Sequence, residues 1–189
     1  MGFYCQYVRE HPEDTYNRQY HDNEYGFPLD KDAQLFERLI LEINQAGLSW
    51  ITILKRADHF HRAYDGFEID RVAGYGLSDR ERLLADAGII RNRLKIQAAI
   101  QNAQQTQAIQ KEYGSFKNWL DIHIDFSLDD WIKLFKKNFF FTGREIVLEF
   151  LLSTGYLPGA HDLDCPIYPI IARMKPAWMR GPFKMDQKD

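Results

Sequence analysis

An acid close to aromatic residues is the first chemical signal in this sequence. The stretch LEINQAGLSWITIL, residues 41–54, places Glu42 directly before Ile43, near the apolar face of a predicted helix. An unpaired carboxylate there costs several kcal/mol, so it must meet hydrogen-bond donors, a cation or a ligand. With Trp50 and Tyr20 nearby, the pattern indicates a flat aromatic slot for a planar, cationic, hydrogen-bond-donating ligand. The alternative is a glutamate that reaches solvent at the edge of the helix face.

Two cysteines and two histidines supply a second candidate site. Cys5 and His21 lie near the start of the chain, and His161 and Cys165 lie in HDLDC near its end. The His-x3-Cys spacing matches one helical turn, and thiolate and imidazole together suit tetrahedral Zn²⁺. Such a closed ligand set predicts a structural metal. The alternative is a hydrogen-bonded histidine beside a buried thiol, and a disulfide is less expected in a cytosolic protein.

A turn between two predicted helices is the third candidate site. Residues 133–155, KLFKKNFFFTGREIVLEFLLSTG, contain a helical pattern, a turn with Gly143 and a second helical pattern. This arrangement presents backbone N–H groups to a phosphate. Local positive charge comes from Lys133, Lys136, Lys137 and Arg144. The alternative is an ordinary helical turn with a solvated basic face.

Helices must position these residues, because helical spacing of apolar residues is found almost throughout. The predicted helices are 31–47, 48–64, 91–113 and 143–155. The helix at 91–113 is predicted to have a glutamine-rich exposed face. SDRE at 78–81 and SLDD at 127–130 are typical of N-terminal capping boxes.

The fold class that follows is all-α. Gly47 is a helix stop, and convincing strand alternation is absent. Five of the seven prolines fall after residue 157, which predicts loop with short helical turns in the last thirty or so residues. With no repeat and no low-complexity linker, we expect a single domain over residues 1–189.

Composition excludes some classes of function. The chain has 189 residues and a net charge of −3, which argues against a globally basic nucleic-acid binder and leaves a local basic patch open. No apolar run is long enough to span a membrane. The first residues, MGFYCQYVREHPEDTYN, are not typical of a secretory signal, so we expect a cytoplasmic protein.

The order of these motifs resembles the 3-methyladenine DNA glycosylase I family, zinc-containing members of the helix-hairpin-helix DNA glycosylases. The resemblance extends from Cys5 to Cys165. It is carried by YHDNEYG at 20–26, LFERLILEINQAGLSWITIL at 35–54, DAGIIRNRLKIQAAIQNA at 86–103 and LFKKNFFFTG at 134–143. In two places where the family usually has tryptophan this chain has Tyr7 and Tyr25, and Arg144 replaces a frequent proline or threonine.

The resemblance implies a role for each candidate residue. The implied zinc ligands, for one structural ion per chain, are Cys5, His21, His161 and Cys165. They would tie segment 1–25 to segment 156–170. The implied base-binding residues are the acid Glu42 and the aromatic residues Tyr20, Trp50, Tyr7 and Tyr25. The implied DNA contacts are Leu48 as a wedge beside Gly47, and the hairpin residues Gly143, Arg144, Lys136 and Lys137.

The implied function is a monofunctional glycosylase, a monomer that releases free 3-methyladenine from double-stranded alkylated DNA and leaves an abasic site. We expect it to act on the nucleoid of a bacterium. An alkylated adenine is positively charged and leaves deoxyribose readily, so extrusion, recognition and entry of water account for the chemistry. The alternatives are a catalytically weak or silent DNA-binding relative, a glycosylase with a shifted alkylpurine preference, and a zinc-stapled helical protein without a nucleic-acid role.

Overall fold

The computed structural model describes residues 3–181, and regular secondary structure in that range is helical, as predicted. The α-helices are α1 (Phe3–Glu10), α2 (Thr15–Asn23), α3 (Asp32–Gln45), α4 (Trp50–Leu54), α5 (Ala57–Ala63), α6 (Ile69–Ala73), α7 (Leu77–Ala85), α8 (Arg93–Tyr113), α9 (Phe116–Asp121), α10 (Leu128–Asn138), α11 (Arg144–Ser153) and α12 (Tyr168–Arg173). Two 3₁₀ turns occupy Asp65–Phe67 and Ala177–Met179. Within residues 3–181, none of the helices is long and apolar enough to cross a membrane.

Helix α3 lies in the core and carries Glu42. Its apolar face consists of fully buried residues at helical spacing: Leu35, Phe36, Leu39, Ile40 and Ile43. The helix packs against α4, α8, α9 and α11. It ends before Gly47, whose φ of +80° is a left-handed conformation that favours glycine. The predicted helix and its glycine stop are therefore confirmed.

Lys95 on α8 fixes the C-terminal end of α3. Its Nζ donates hydrogen bonds to the carbonyl oxygens of Asn44 and Ala46 at 2.8 and 2.7 Å. The last carbonyls of a helix have no partner within the helix, so the lysine satisfies two of them. The start of the turn at 46–49 is thereby tied to the long helix α8.

Helix α8 is present as predicted, but its glutamine face is not simply exposed. Gln104 donates to the carbonyl of Ala73 at 3.0 Å, and Gln107 donates to Asp70 at 2.8 Å. Both acceptors belong to α6, which packs along α8. The glutamines are exposed or half-buried, so the predicted polar face is present, and two of them also bind the backbone or a side chain of α6.

The predicted helix over 48–64 is wrong, because the chain forms α4 and α5 with a break between them. At Arg56 the backbone has φ −116° and ψ 1°, outside the helical region. Ile53 in α4 and Phe60 in α5 are both fully buried, so each of the two short helices still contributes to the core.

The two predicted capping boxes have different outcomes. Ser127 caps α10, since its hydroxyl accepts from the N–H of Asp130 at 3.2 Å. SDRE at 78–81 is not a capping box, because α7 begins at Leu77, one residue before Ser78. There the N–H of Gly76 donates to Asp79 at 3.1 Å, so the acid caps the helix without the serine.

Helices α10 and α11 pack against each other across a turn at residues 139–143. The fully buried Asn102 of α8 holds this turn at both backbone groups of Phe140: its amide donates to the carbonyl at 3.1 Å and its Oδ1 accepts from the N–H at 2.7 Å. Phe140 and Phe141 are exposed at the tip. The turn is therefore fixed from the core side.

The segment after α2 lies against the segment after α11. Gly26 has φ +80°, and a Cβ there would lie 2.8 Å from the Cβ of Ala160. Its N–H donates to the carbonyl of Ser153 at 2.9 Å. Only glycine fits this close approach, which brings the two ends of the chain together. Short helical turns follow up to Gly181, as predicted for the proline-rich end.

Candidate functional site

A cleft of about 1220 Å³ opens between the end of α3, the segments around α2 and α11, and the 159–160 loop. Residues that line it include Tyr4, Tyr7, Tyr20, Tyr25, Glu42, Gly47, Trp50, Gly143, Arg144, Glu145, Glu149 and Ala160. The structure thus brings together the predicted acid, all four predicted base-binding aromatic residues and three of the predicted DNA contacts. Leu48, Lys136 and Lys137 do not line the cleft.

Glu42 is 5% exposed and lines this cleft. Burial raises the pKa of its carboxyl group to about 8, the charge of Glu149 acts in the same direction, and Arg38 opposes them. Among the described residues, its carboxylate has no hydrogen-bond donor and no ion-pair partner within 4.0 Å. It does not reach solvent at the edge of α3, so the alternative of a solvent-exposed glutamate does not hold.

Arg38 lies one helical turn before Glu42 but is directed elsewhere. Its Nη1 donates to the phenol oxygen of Tyr20, and its Nη2 lies 3.2 Å from Glu24. The guanidinium carbon lies 4.7 Å from the centre of the Tyr20 ring. The buried arginine therefore fixes Tyr20, and the carboxylate of Glu42 remains available to a ligand.

Aromatic rings form the walls of the cleft. Tyr20 and Trp50 meet edge to face, with centroids 5.1 Å apart. Tyr25 is buried and contacts Tyr4 edge to face at 5.1 Å. Tyr7 lies at the rim, where its phenol donates to Asp14 at 2.9 Å and its ring stacks on His11. The rings and the acid make a slot that fits a flat, cationic group.

The cleft is acidic. Among its described lining residues, four are glutamates, namely Glu10, Glu42, Glu145 and Glu149, and one is an arginine, Arg144. Glu149 is half-buried, and burial raises the pKa of its carboxyl group. The arginine is already engaged, because Arg144 Nη1 lies 2.9 Å from Asp129. The charge of the cleft favours a cation.

The four predicted metal ligands form a buried cluster whose ligand atoms all lie within 4.8 Å of one another. The sulfur–nitrogen distances are 3.3 and 3.7 Å from Cys5 to His21 and His161, and 3.8 and 3.4 Å from Cys165 to the same histidines. Tetrahedral Zn²⁺, with Zn–S of about 2.3 Å and Zn–N of about 2.0–2.1 Å, gives sulfur–nitrogen distances of roughly 3.6 Å. The arrangement therefore fits a divalent metal.

Hydrogen bonds engage one nitrogen of each imidazole and leave the other nitrogen able to bind a metal. Nε2 of His161 lies 2.7 Å from the carbonyl oxygen of Tyr25, which can only accept, so Nδ1 faces the sulfurs without a proton. Nδ1 of His21 donates to Asp22 at 2.7 Å and leaves Nε2 for the metal. Both cysteines are free of disulfide bonds. His161 and Cys165 lie in a turn, so the predicted helical spacing was wrong although the two side chains converge.

The predicted DNA contacts lie around the mouth of the cleft and on α10. Leu48 is 38% exposed at the tip of the 46–49 turn, where its N–H donates to the carbonyl of Gln45 at 2.7 Å. Gly143 directly precedes α11, whose first turn has no side-chain cap. Lys136 and Lys137 are exposed in the last turn of α10.

The residues that line or support the cleft but were not predicted from the sequence include Tyr4, Arg38 and Glu149. Arg38 precedes Glu42 by four residues, so helical spacing alone would place both on one side of α3. Glu149 is an acid within a very apolar helix, the same signal that identified Glu42. Nothing in the sequence indicates that the ring of Tyr4 is more buried than the ring of Tyr7.

Comparison with known proteins identifies the family to which this all-α fold and its cleft belong. The model of the methyladenine glycosylase family matches residues 10–130. DNA-3-methyladenine glycosylase 1 of Escherichia coli (strain K12) is 36% identical, over 79% of this chain and 90% of the relative. The chain belongs to the methyladenine glycosylase family.

Solved structures share the fold. A tyrosine-to-phenylalanine variant of 3-methyladenine DNA glycosylase I in complex with 3-methyladenine aligns with a TM-score of 0.76 and 32% identity, over 82% of this chain and 93% of the other. The Staphylococcus aureus enzyme, described for its recognition of 3-methyladenine, has a TM-score of 0.76 and 33% identity, over 82% and 92%. The predicted all-α glycosylase fold is confirmed.

Proposed function

We propose that this protein is a monofunctional DNA glycosylase, which hydrolyses the N-glycosidic bond of 3-methyladenine in alkylated duplex DNA. The proposal depends mainly on one observation: a buried carboxylate, Glu42, faces an aromatic-lined cleft without a partner among the described residues. Stability alone does not favour such a group, because burial of a free charge is costly. Family membership and the named activities of the relatives support the same substrate.

The reaction needs little acid–base chemistry from the protein. An N3-methylated adenine nucleotide carries a positive charge on the base. When the bond from C1′ to the base breaks, the electron pair leaves with the base, which becomes neutral 3-methyladenine. Water adds to C1′ and loses a proton, so the DNA is left with an abasic site. No lysine is among the described residues that line the cleft, in accord with a monofunctional enzyme without an amine nucleophile.

Glu42 recognises the charged base and Trp50 and Tyr20 stack on it, with Tyr25 and Tyr7 as further walls. The approach of a cation lowers the pKa of Glu42 and restores its negative charge. Cation–π attraction from each ring adds about 0.5–2 kcal/mol. Neutral adenine gains neither contribution, so discrimination between damaged and normal bases follows from charge.

The DNA itself contacts the rim of the cleft. Leu48, beside Gly47, fills the space that the extruded nucleotide leaves in the duplex. The N–H groups at the start of α11, after Gly143, bind a phosphate. Arg144, Lys136 and Lys137 add positive charge, and Arg144 exchanges Asp129 for phosphate because exposed ion pairs contribute little, about 0–1 kcal/mol.

The buried cluster of Cys5, His21, His161 and Cys165 holds one structural Zn²⁺. Its sulfur–nitrogen distances and the two fixed imidazoles support this assignment. Zinc supplies cross-linking of the terminal segments and takes no part in the reaction. We also propose that residues 1–189 form a single domain, with ligand segments at about 1–25 and 156–170 and a hairpin at about 133–155. It acts as a monomer on the nucleoid in the cytoplasm of a bacterium.

An excision assay tests the function. Duplex DNA treated with a methylating agent is incubated with the protein, and released bases are separated by chromatography. Release of free 3-methyladenine with abasic sites left in the DNA is expected, and Glu42→Ala should abolish most of it while duplex binding persists. Absence of any released alkylbase at stoichiometric protein would refute the activity. Duplex affinity retained in that case would favour a silent DNA-binding relative.

A further inference from the structure

The cleft contains a second carboxylate, on a different helix from Glu42. Glu149 lies on α11, one turn after Glu145 and close to Ile146 and Leu152 on the same helix face, and all four line the cleft. Because residues at i, i+1, i+4 and i+7 share one side of a helix, this face of α11 forms a wall of the cleft. Glu149 is the half-buried acid of that wall, whereas Glu145 is exposed.

Tyr25 holds Glu149 in place. The phenol of Tyr25 donates to Oε2 of Glu149 at 3.2 Å, and the carbonyl of Tyr25 accepts from His161 at 2.7 Å. A carboxylate accepts about four hydrogen bonds, and the described residues supply one. Acceptor positions on Glu149 therefore remain for a ligand in the cleft, and the backbone of the tyrosine that anchors it is bonded to His161.

The two acids interact through the cleft. Glu42 and Glu149 line the same cleft, and the charge of Glu149 raises the pKa of Glu42. A neutral purine between them leaves that repulsion unchanged. A cationic purine attracts both groups at once and relieves it. A second acid thus increases the difference in affinity between charged and neutral bases more than it increases affinity in general.

We propose that Glu149, anchored by Tyr25, is a second specificity-determining residue of this site and selects purines by positive charge. The inference depends on the proposed function, because it assigns a role within the same base cleft. It adds that two carboxylates on two helices recognise the positive charge of the alkylpurine, Glu42 on α3 and Glu149 on α11.

The test uses two small probes and the full-length, metal-loaded protein. The first is the 3,9-dimethyladeninium cation, whose N9 methyl group replaces deoxyribose and keeps the positive charge. The second is neutral 9-methyladenine. Dissociation constants for both are measured by NMR titration on the wild type, Glu149→Gln and Tyr25→Phe. Glu37→Gln is the matched control, since Glu37 is also a half-buried acid with one hydrogen bond, at 3.1 Å to His61, but lies outside the cleft.

The expected result is a change in selectivity. Glu149→Gln should weaken binding of the cation about tenfold, the size of a charge-assisted hydrogen bond, and leave binding of the neutral probe nearly unchanged. Tyr25→Phe should lower the ratio of cation affinity to neutral-probe affinity as well, but by less. If Glu149→Gln does not fold, the result for Tyr25→Phe tests the inference instead. Glu37→Gln should not change the ratio. An unchanged cation-to-neutral ratio in folded Glu149→Gln, or a wild type without preference for the cation, would overturn the inference.

Failure of the proposed function gives a different pattern. In that case the wild type releases no base from methylated DNA, whatever the two probes show. If the wild type does release 3-methyladenine and Glu149→Gln keeps the full probe ratio, the glycosylase stands and the role of Glu149 falls. The excision assay and the probe titrations therefore decide the two claims separately.

Discussion

The carbonyl oxygen of Tyr25 lies 2.7 Å from Nε2 of His161, and this contact joins the cluster of two cysteines and two histidines to the cleft. The same tyrosine lines the cleft with its ring and donates from its phenol to Glu149. Tyr25 thus orients His161 through its backbone carbonyl and Glu149 through its phenol. A shift of the cluster would therefore also shift this wall of the cleft. The Cys/His cluster is thus linked to the cleft through a single residue.

Loss of the metal should therefore weaken base binding as well as stability. Cys165→Ser should lower the zinc content from about one ion per chain and reduce Tm by roughly 5 °C or more, since each kcal/mol is worth about 2–4 °C in a chain of this size. Affinity for 3-methyladenine should fall in parallel because Tyr25 loses its anchor. Metal analysis, thermal unfolding and NMR titration measure the three effects.

The control is Asp164→Asn, an exposed neighbour paired with Arg9. Full zinc content in Cys165→Ser would show that the cluster does not hold the metal.

Glu42 should make the stability of the unliganded protein depend on pH. Its folded-state pKa of about 8 lies above its usual value of 4.5, so the folded state favours the neutral acid. The stabilising contribution is complete below pH 4.5 and is lost as pH rises to about 8. Between about pH 5 and pH 9 the wild type should lose roughly 4 kcal/mol relative to Glu42→Gln. Urea unfolding of both proteins at the two pH values measures this difference, and parallel pH profiles would contradict it.

Asn102 should matter for DNA binding although it is fully buried. It accepts from and donates to the backbone of Phe140 in the hairpin turn. Asn102→Ala leaves both groups unpaired, which costs about 1–3 kcal/mol each if they stay buried, so the turn should shift. Duplex affinity should fall several-fold while binding of free 3-methyladenine is kept. Thr106→Ala, at another fully buried position one turn further along α8, is the matched control for stability. Equal duplex affinities for the two variants would contradict a positioning role.

The basic residues on α10 should contribute through phosphate binding. Lys136→Ala with Lys137→Ala should weaken binding to any duplex, damaged or not, because phosphate contacts carry no sequence information. The slope of log affinity against log salt should fall by about 0.9 for each phosphate that is no longer neutralised. Fluorescence anisotropy over a series of salt concentrations measures both. Lys111→Ala, in the last turn of α8, is the control. An unchanged salt slope would exclude these lysines from the interface.

Much of this architecture was predictable from local patterns. The apolar spacing in α3, the Ser127 cap of α10 and the two glycines around α11 are properties of short segments, and each is present as predicted. The convergence of Cys5 with Cys165 is not local. It was predicted because the ligand types and their resemblance to a family indicated it, although the helical turn assumed for His161 and Cys165 is absent.

The rest depended on tertiary packing. The break between α4 and α5 falls at Arg56, where the sequence has neither glycine nor proline to indicate it. Glu149 was overlooked because an acid in an apolar helix has a function only if its side faces a cleft, and that depends on how α11 packs on α3. Arg38 was overlooked for the same reason. Its partner Tyr20 lies on α2, and their contact exists only after the two helices meet.

Leu48 should be needed for extrusion of the base and not for its recognition. It is exposed at the tip of a turn whose start is held by Lys95, outside the lining of the cleft. A wedge acts only when a stacked, paired nucleotide must leave the duplex. Leu48→Ala should therefore reduce excision from double-stranded DNA by roughly tenfold or more, since unstacking costs a few kcal/mol, and affect single-stranded DNA much less.

Lys95→Met should reproduce part of this loss, because the turn loses its anchor on α8. Leu77→Ala, at a more exposed leucine far along the chain, should leave both rates unchanged. Single-turnover rates on the two forms of DNA measure the ratio directly. Equal losses on both forms would show that Leu48 supports the cleft, in which case the space left by the extruded nucleotide must be filled by another residue of the rim.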